Sequence, residues 1–344
     1  MKIPYKYFNI KIEMKLASIK SDHRDADLIV VSSDNKKGVH AKHIARSLRE
    51  AIENWPAVKP ALEDLYRKLN PSSLPLAFPI PLEKLSAPLP RSFAWIDGSA
   101  YIQHIKLVRK ARGAPLPETL ETIPLIYQGG SDLFLGPYDD IPQEDFSHGT
   151  DFEAEVGVIV NDVPMGVSPE KALDHIILFT LINDISLRGL IPEELKRGFG
   201  FFQGKPSSSF APFVVTKEEL GDAWKEGRIH LPMLVEFNGK SFGQAQAGEM
   251  HFHFGQIIAH AAQTRSLSAG TIIGSGTVSN QDSSVGCSCI AEKRMLEKIN
   301  TGKIKTDFMK IGDQVEIKMI NDSDQNIFGT IKQKVSSLSK VNTE

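Results

Sequence analysis

The stretch DFEAEVGVIV, residues 151–160, alternates carboxylate and apolar side chains and then continues as a β-branched run. In a strand, side chains two residues apart point to the same face, so Asp151, Glu153 and Glu155 are predicted to lie side by side. Crowded ionised carboxylates in a protected place repel each other and need a neutralising partner. A divalent cation with oxygen ligands is the usual partner, so the segment predicts a strand that carries part of a metal site.

Composition narrows the class of protein. The chain has 344 residues, 41% hydrophobic and 24% charged, as expected for a globular protein with a sizeable core. Its 40 basic and 42 acidic residues give a net charge of −2, so neither nucleic acid nor a membrane is predicted as a partner. No segment approaches a membrane span of ~20 apolar residues, and no signal peptide is recognised.

Cys287 and Cys289 are predicted to be reduced thiols of a cytoplasmic protein. Met14 opens a cleaner strand than Met1 and is an alternative start.

A Pro- and Ser-rich stretch from Asn70 to Pro90 is typical of a linker and divides the chain into a small N-terminal domain with its linker, residues 1–90, and a larger domain, residues 91–344. Short strands and turns dominate the larger part, without a regular alternation of strand and long helix, so the sequence predicts an α+β protein that is mainly β. Ser168 and Pro169 give a strong helix start signal. The predicted helices are 42–54, interrupted by Pro56 and Pro60, then 61–68, 100–111, 169–181 and 254–264. The predicted strands include 15–19, 27–32, 123–127, 155–160, 213–216, 234–237, 271–273 and 314–320.

Each candidate for chemistry also has an ordinary structural explanation. Glu153 and Glu155 could be the charges that protect an edge strand. Asp184 could be a turn residue after an apolar run, and Asp97 could cap the helix that follows it. His104 on that helix is by itself more typical of a partly buried, hydrogen-bonded histidine.

Two further sequence patterns are unequal as evidence for a functional site. Lys205 lies in a Gly/Pro/Ser loop bounded by phenylalanines, which is not typical of a solvated lysine. Glu249, His251 and His253 share one strand face and formally suggest a transition-metal site, but a strand at a wet surface explains them better.

Taken together, the separated motifs resemble the fumarylacetoacetate hydrolase family over residues 90–335. A Glu-x-Glu motif alone is weak, but its combination with Asn-Asp-x-Ser-x-Arg and then Gly-Lys is highly specific. The resemblance implies a mixed β-sandwich roll with a small N-terminal β-containing domain. The motifs are Asp97 followed by His104, Tyr127-Gln-Gly, Glu153-x-Glu155, Asn183-Asp184-x-Ser-x-Arg188, Gly204-Lys205 and Gly274-Ser-Gly-Thr277.

The resemblance also implies roles for single residues. Four carboxylates would bind Mg²⁺ or Ca²⁺, a histidine oriented by a glutamate would activate water, and cations would hold the substrate or stabilise the leaving carbanion. The implied metal ligands are Asp97, Glu153, Glu155 and Asp184; the catalytic residues are His104, Arg188, Lys205 and Glu292; the substrate-binding residues are Tyr127, Ser209 and Arg109.

The chain departs from the family pattern at three of its positions. Ser209 stands where the family uses a threonine, and Ile191 replaces a glutamine after the motif arginine. Glu292 is displaced by two positions from a simple count. Arg109 could reach a substrate carboxylate or simply complement the end of its helix.

The implied activity is metal-dependent hydrolysis of a C–C bond in a β-diketo acid, with fumarylacetoacetate, fumarate and acetoacetate as the substrate and products of tyrosine catabolism. This reaction needs a nucleophile at one carbonyl and a sink for the departing carbanion. A homodimer is expected. The alternatives are a hydratase, isomerase or decarboxylase of a 2-oxo-4-ene acid at the same metal site, and a non-catalytic binding module stabilised by the metal.

Overall fold

The computed structural model of the protein describes residues 13–71, 74–112 and 115–338. The choice between Met1 and Met14 as the start concerns residues 1–12, which lie outside the described ranges. In chain order the strands are β1 (Lys15–Ile19), β2 (Asp27–Val31), β3 (Lys37–His40), β4 (Phe78–Pro79), β5 (Trp95–Gly98), β6 (Ile126–Gly129), β7 (Ile141–Gln143), β8 (Thr150–Asp151), β9 (Ala154–Val160), β10 (Ile176–Asn183), β11 (Ser186–Leu187), β12 (Ser209–Phe210), β13 (Val214–Val215), β14 (Trp224–Lys225), β15 (Arg228–Ile229), β16 (Pro232–Phe237), β17 (Lys240–Gln246), β18 (Ile272–Gly274), β19 (Gln314–Met319) and β20 (Ile331–Ser337). The α-helices are α1 (Leu48–Glu53), α2 (Trp55–Leu69), α3 (Ile102–Arg112), α4 (Pro169–Ala172), α5 (Ile191–Arg197), α6 (Lys217–Leu220), α7 (Phe254–Ala261) and α8 (Ile290–Thr301).

A large mixed sheet runs through both parts of the chain. Its strand order is β4-β3-β2-β1-β13-β10-β9-β18-β5-β6, and β12 pairs with β10 beside this path. The N-terminal strand β1 joins β13 through the pairs Lys15↔Val215 and Leu16↔Val214. The N-terminal part therefore adds four strands to the sheet that carries the site, while a division into separate domains at residue 90 stays a prediction.

A second sheet, ordered β17-β16-β19-β20-β7, packs against the first. The even-numbered residues from Phe152 to Val160 lie in the core shared with residues of β16 and β19, such as Met233 and Ile317. The odd-numbered Ile159 belongs to another core, which includes Leu62 of α2. Alternation along 151–160 thus separates its apolar and acidic faces. These mixed sheets with a small N-terminal part confirm the predicted α+β sandwich class.

The predicted helix 169–181 is wrong beyond its first turn. Ser168 does cap a helix, because its side chain accepts a hydrogen bond from Lys171 N, but α4 ends at Ala172. Residues 176–183 form β10, the longest strand, paired with β9 on one side. A continuous apolar run suits a strand buried on both faces as well as a helix, and periodicity cannot separate the two.

The predicted helix 42–54 is shorter, since α1 covers only Leu48–Glu53. Pro56 and Pro60 do not interrupt the next helix: α2 contains both, with Pro56 in its first turn. A first-turn proline loses no intrahelical hydrogen bond, and the buried face of α2 compensates for Pro60 further in. The helices predicted at 100–111 and 254–264 are observed as α3 and α7.

Two further findings concern the residues that the structure describes. None of the helices there combines the length and the apolar character that crossing a lipid bilayer requires. Both cysteines are buried free thiols, as predicted.

Candidate active site

Three buried carboxylates converge where β5, β9 and β10 meet. Asp97 lies in β5, Glu155 in β9 and Asp184 directly after β10, and one oxygen from each lies within 4.8 Å of the others. Strand β18 separates β5 from β9 and ends at Gly274, where a Cβ atom would lie 2.4 Å from Asp97 Oδ1. A glycine at this position is what allows the carboxylates to approach one another.

The turn after β18 fixes Asp97. The backbone N–H of Gly276 donates to Asp97 Oδ1 at 3.0 Å, and Gly276 has a φ of +79°. A residue with a side chain would be strained there. The Gly-Ser-Gly-Thr motif, residues 274–277, therefore places one member of the carboxylate cluster.

One carboxylate of the cluster, Glu155, lacks a hydrogen-bond donor among the described residues, and this holds for both of its oxygens. Its oxygens face Asp97 and Asp184, with which a hydrogen bond forms only if one group carries a proton. Burial, followed by the charge of Asp97, raises the pKa of Glu155 well above its usual value. Burial, followed by the charge of Asp184, raises the pKa of Asp97 to about 8.

An oxygen-ligated divalent cation fits this arrangement. Buried, mutually repelling carboxylates, of which Glu155 has no donor among the described residues, are the donor set that Mg²⁺, Mn²⁺ and Ca²⁺ prefer. The structure groups three of the four predicted ligands in this cluster, Asp97, Glu155 and Asp184.

The fourth predicted ligand, Glu153, lies beside the cluster and is already neutralised. Its carboxylate accepts from Arg188 Nη2 at 2.6 Å, from Lys205 Nζ at 2.5 Å and from Ser186 Oγ at 3.0 Å. Burial alone would raise its pKa, but the charges of Arg188 and Lys205 hold the pKa of Glu153 well below its usual value. Two carboxylates two residues apart thus have opposite electrostatic environments.

Lys205 connects these two environments. Its ammonium group also donates to Asp184 Oδ2, and it lies 5.2 Å from the centre of the Tyr127 ring. The Tyr127 hydroxyl donates to the same Asp184 oxygen at 2.7 Å. Burial opposes a charged lysine, yet the neighbouring Asp184 and Glu153 raise the pKa of Lys205 above its usual value. Lys205 is therefore a fixed positive charge at the edge of the cluster.

Arg188 is held in place by Asp151, the first carboxylate of the alternating stretch 151–160. Asp151 accepts from Arg188 Nε at 2.9 Å and also caps α8, accepting from Ile290 N at 2.8 Å and Ala291 N at 2.9 Å. The predicted row of three carboxylates on one face is thus present, with Asp151 supporting the arginine. The alternating pattern was the signal for it.

His104 and Glu292 meet although 188 residues separate them. His104 Nδ1 lies 2.8 Å from Glu292 Oε2, and the other Glu292 oxygen accepts from Ser279 Oγ at 3.0 Å. When Glu292 is ionised and the ring is neutral, Nδ1 carries the hydrogen of this bond and Nε2 is left with a free lone pair. The structure thus pairs Glu292 with His104 despite the two-position displacement.

Two predicted substrate-binding residues lie elsewhere. Ser209 donates to the Gly136 carbonyl at 3.2 Å, and it is the preceding Ser208 that donates to Asp184 Oδ1 at 2.7 Å. Neighbouring residues of an extended segment face opposite ways, so the shift by one residue exchanges their roles. Arg109 Nη1 donates to the Pro115 carbonyl at 2.7 Å and does not line the cavity described below.

A cavity of about 570 Å³ opens onto these groups. Arg294, which the sequence analysis missed, adds a cation to its wall; its guanidinium lies 4.3 Å from the centre of the Phe308 ring. Its position in α8, two residues after Glu292, was the available signal. The polar lining residues are Asp97, Ser99, His104, Tyr127, Ser147, Glu153, Glu155, Arg188, Lys205, Thr277, Arg294 and Asp307, and the apolar ones include Val108, Phe146, Ile191, Leu195, Phe201, Met295 and Phe308.

Comparison with known proteins confirms the resemblance found in the sequence motifs. The family described as fumarylacetoacetate (FAA) hydrolase C-terminal matches residues 94–336, and fumarylacetoacetase N-terminal domain 2 matches residues 14–91. A relative from Burkholderia ambifaria is 26% identical over 215 residues, which cover 61% of this chain and 70% of the relative. A relative from Burkholderia multivorans is 27% identical with the same coverage. Both carry provisional hydrolase names that give no substrate.

Solved structures share the fold at low sequence identity. Fumarylacetoacetate hydrolase from Exiguobacterium antarcticum superposes with a TM-score of 0.66 at 20% identity, covering 94% of this chain and 99% of its own. Maleylpyruvate hydrolase from Sphingobium sp., solved with manganese(II) and pyruvate, gives 0.63 at 17% identity, with coverages of 94% and 99%. A probable 2-hydroxyhepta-2,4-diene-1,7-dioate isomerase from Mycobacterium abscessus gives 0.65 at 18% identity, with coverages of 95% and 99%. Since the first family match spans well over half of the residues, the chain belongs to the fumarylacetoacetate hydrolase family.

Proposed function

We propose that the protein is a divalent-metal-dependent hydrolase that cleaves a C–C bond of a β-diketo acid. The observation that carries this proposal is the His104–Glu292 pair at the wall of the cavity that also contains the buried carboxylate cluster. A hydrolase of this kind needs a base for water next to a site that polarises the substrate carbonyls.

Asp97, Glu155 and Asp184 would hold the ion, with Glu153 at their edge. A bound Mg²⁺, Mn²⁺ or Ca²⁺ ion would supply Lewis-acid polarisation of the diketo oxygens. The buried position of the cluster strengthens this effect because the surrounding dielectric is low.

The chain's own residues account for the proton transfers. His104 accepts a proton from water at Nε2, while its Nδ1–H donates to Glu292, whose negative charge stabilises the imidazolium. The hydroxide adds to one carbonyl carbon, and the C–C bond then breaks with its electron pair remaining on the departing carbon. Lys205 and Arg188 stabilise the resulting negative charge, and the carbanion takes the proton back from His104.

The cavity wall favours an acidic substrate. Arg188, Lys205 and Arg294 all line it, and in the part of the chain that the structure describes Arg294 forms no ion pair with a carboxylate. The adjacent Asp307 is paired instead with Lys310 at 2.6 Å. Fumarylacetoacetate, a diketo acid with a carboxylate at each end, is the substrate we propose to test first, which would place the enzyme in tyrosine catabolism.

The deciding experiment is turnover of fumarylacetoacetate by metal-loaded protein, with His104→Ala as the matched variant. We expect loss of the diketone absorbance with the wild type and a fall of about 10²- to 10⁴-fold in kcat with the variant, the usual size of a general-base contribution. Metal binding should be unchanged in the variant.

Other outcomes would redirect the proposal. Turnover of a 2-oxo-4-ene acid without diketone cleavage would assign a hydratase, isomerase or decarboxylase. A metal-dependent increase in melting temperature with no turnover of any keto acid would assign a binding module.

We also propose a cytoplasmic homodimer. The two free thiols support a reducing compartment. Leu133, Phe199 and Phe202 expose large apolar side chains around a second pocket that shares Tyr127, Phe201 and Lys205 with the cavity. Light scattering during gel filtration would test this: a mass of one chain would contradict the dimer.

A further inference from the structure

Cys289 brings a soft ligand next to the proposed catalytic pair. One ligand atom each from His104, Cys289 and Glu292 lies within 4.8 Å of the others. Cys289 is fully buried and is the N-cap residue of α8, and its sulfur accepts a hydrogen bond from Glu292 N at 3.3 Å. No step of the proposed hydrolysis uses this thiol.

The three donors differ in kind from the carboxylate cluster. Asp97, Glu155 and Asp184 offer only oxygen, which suits hard cations such as Mg²⁺. An imidazole nitrogen, a thiolate sulfur and a carboxylate oxygen form a set that suits a borderline-soft ion, above all Zn²⁺. The protein therefore presents two neighbouring donor sets with different metal preferences.

The spatial arrangement also suits such an ion. Around four-coordinate zinc, nitrogen, oxygen and sulfur ligands lie roughly 3.5 Å apart, as follows from zinc–ligand distances of about 2.0–2.3 Å. His104 Nδ1 and Glu292 Oε2 are 2.8 Å apart and would separate by less than about 1 Å, while a donor pair at the 4.8 Å limit would have to close by about 1.3 Å. Cys289 and Glu292 stand three residues apart at the start of α8 and so share one face of the helix.

The fourth coordination position of such an ion would face the cavity. The His104 side chain is 17% exposed, and both His104 and Ala291 line the cavity. Three protein ligands with an open position toward a cavity are typical of zinc sites that keep a water molecule or another exchangeable ligand.

We propose that His104, Cys289 and Glu292 form a second, inhibitory site for a thiophilic divalent cation such as Zn²⁺. On binding, the Cys289 S–H bond breaks and its proton passes to solvent, while the His104 hydrogen is transferred through solvent from Nδ1 to Nε2; bonds form from the ion to sulfur, to His104 Nδ1 and to Glu292. No oxidation or reduction takes place.

Inhibition follows from the histidine tautomer and rests on the function proposed above. In the metal-free pair Nδ1 carries the hydrogen and Nε2 can accept a proton from water. With an ion on Nδ1, the neutral ring carries its hydrogen on Nε2, so it can no longer act as the base. Glu292 meanwhile ceases to orient the ring.

The test uses Co²⁺ as a spectroscopic substitute for Zn²⁺, added to protein whose oxygen site is saturated with Mg²⁺. We expect a thiolate-to-cobalt charge-transfer band in the near ultraviolet that added Zn²⁺ abolishes. Cys289→Ser should lack the band, and Cys287→Ser, which removes the other buried thiol, should keep it. Serine is a good N-cap residue, so α8 should stay intact in Cys289→Ser, and its melting temperature checks this.

Two results would overturn the site: no charge-transfer band in the wild type despite bound Co²⁺, or a band that persists in Cys289→Ser. The activity arm compares Zn²⁺ inhibition of each protein relative to its own uninhibited rate. We expect Cys289→Ser to need at least tenfold more Zn²⁺ for half-inhibition, with Cys287→Ser like the wild type; equal sensitivity would overturn the inhibitory role. If no keto acid is turned over at all, the proposed function fails, while the absorption band still decides whether the site exists.

Discussion

Two places in the molecule bury charge in different ways: the junction, where the N-terminal strand β1 joins β13, and the cavity. At the junction, Lys15 is completely buried, but its ammonium group lies 3.1 Å from Glu219 and donates to Asn35 Oδ1 at 3.0 Å. At the cavity, Glu155 is equally buried, and within the described ranges neither of its oxygens has a hydrogen-bond donor. The first charge is neutralised by the chain itself; the second requires a partner from outside.

The difference separates structural from functional buried charge. An ion pair completed within the fold costs desolvation but leaves nothing unsatisfied. Carboxylates without a partner weaken the fold, and such strain is typical of places where a ligand binds. Glu153 and Glu155 show the same contrast over two residues of one segment.

The largest effect is expected from removing the unpartnered charge. Glu155→Gln should lower turnover by about 10³-fold or more, because several kcal/mol of carbonyl polarisation are lost with the metal. In metal-free protein at a pH alkaline enough to ionise Glu155, the same change should raise the free energy of unfolding, by about 1–3 kcal/mol, since it removes an unsatisfied buried charge. Urea unfolding measures this.

The matched variant is Glu153→Gln, which removes a charge with partners. It should destabilise metal-free protein by about 3 kcal/mol, because Arg188 and Lys205 each lose one of their two counter-charges and keep only Asp151 and Asp184. If both variants destabilise equally, the contrast between the two glutamates does not hold.

The next largest effect is a loss of stability at the junction of β1 with β13. Glu219→Gln should lower the free energy of unfolding by about 3–5 kcal/mol by leaving the Lys15 ammonium buried without its counter-charge, while kcat per folded molecule stays unchanged. The exposed pair Lys196–Glu193 provides the control, since Glu193→Gln should change stability by less than about 0.5 kcal/mol. Equal effects of the two substitutions would show that the Lys15 pair is not structural.

A smaller effect is the pH dependence of metal binding. The pKa of Asp97 is raised to about 8, so below that pH a proton competes with the cation. The apparent affinity should rise with pH and level off above about 8, by no more than tenfold per pH unit for each proton displaced. The same proton stabilises the metal-free fold: this stability is complete below the usual pKa of an aspartate and is lost as pH rises through about 8. Calorimetric metal titration across about pH 6–9 measures the affinity, and urea unfolding of metal-free protein over the same range measures the stability. An affinity that does not change with pH would contradict the competition between proton and cation.

How much the sequence could predict depended on whether a signal was local. The alternation at 151–160 predicted the shared acidic face correctly, because side-chain direction in a strand follows from sequence position alone. The mainly apolar run at 176–183 gave no such information, since both faces of β10 are covered and its two polar residues, Thr180 and Asn183, do not mark a strand period.

The site shows the same limit. The pairing of His104 with Glu292 bridges 188 residues and depends on α3 packing against α8. Resemblance to a family suggested this pair, whereas spacing alone misplaced it. The contact with Asp184 belongs to Ser208 and not to its neighbour Ser209, because the sequence did not show which of the two serines faces the site. The signal for Arg294 was its position two residues after Glu292, which is not a motif by itself.

The most direct test of the account is a titration of metal-free protein with Mn²⁺, followed by calorimetry, for the wild type, Glu155→Gln and the exposed-surface control Glu170→Gln. The account predicts one ion per chain in the wild type and the control, and at least a hundredfold weaker binding in Glu155→Gln. Equal Mn²⁺ affinity in Glu155→Gln and the wild type would contradict the claim that the buried carboxylate cluster is the metal site.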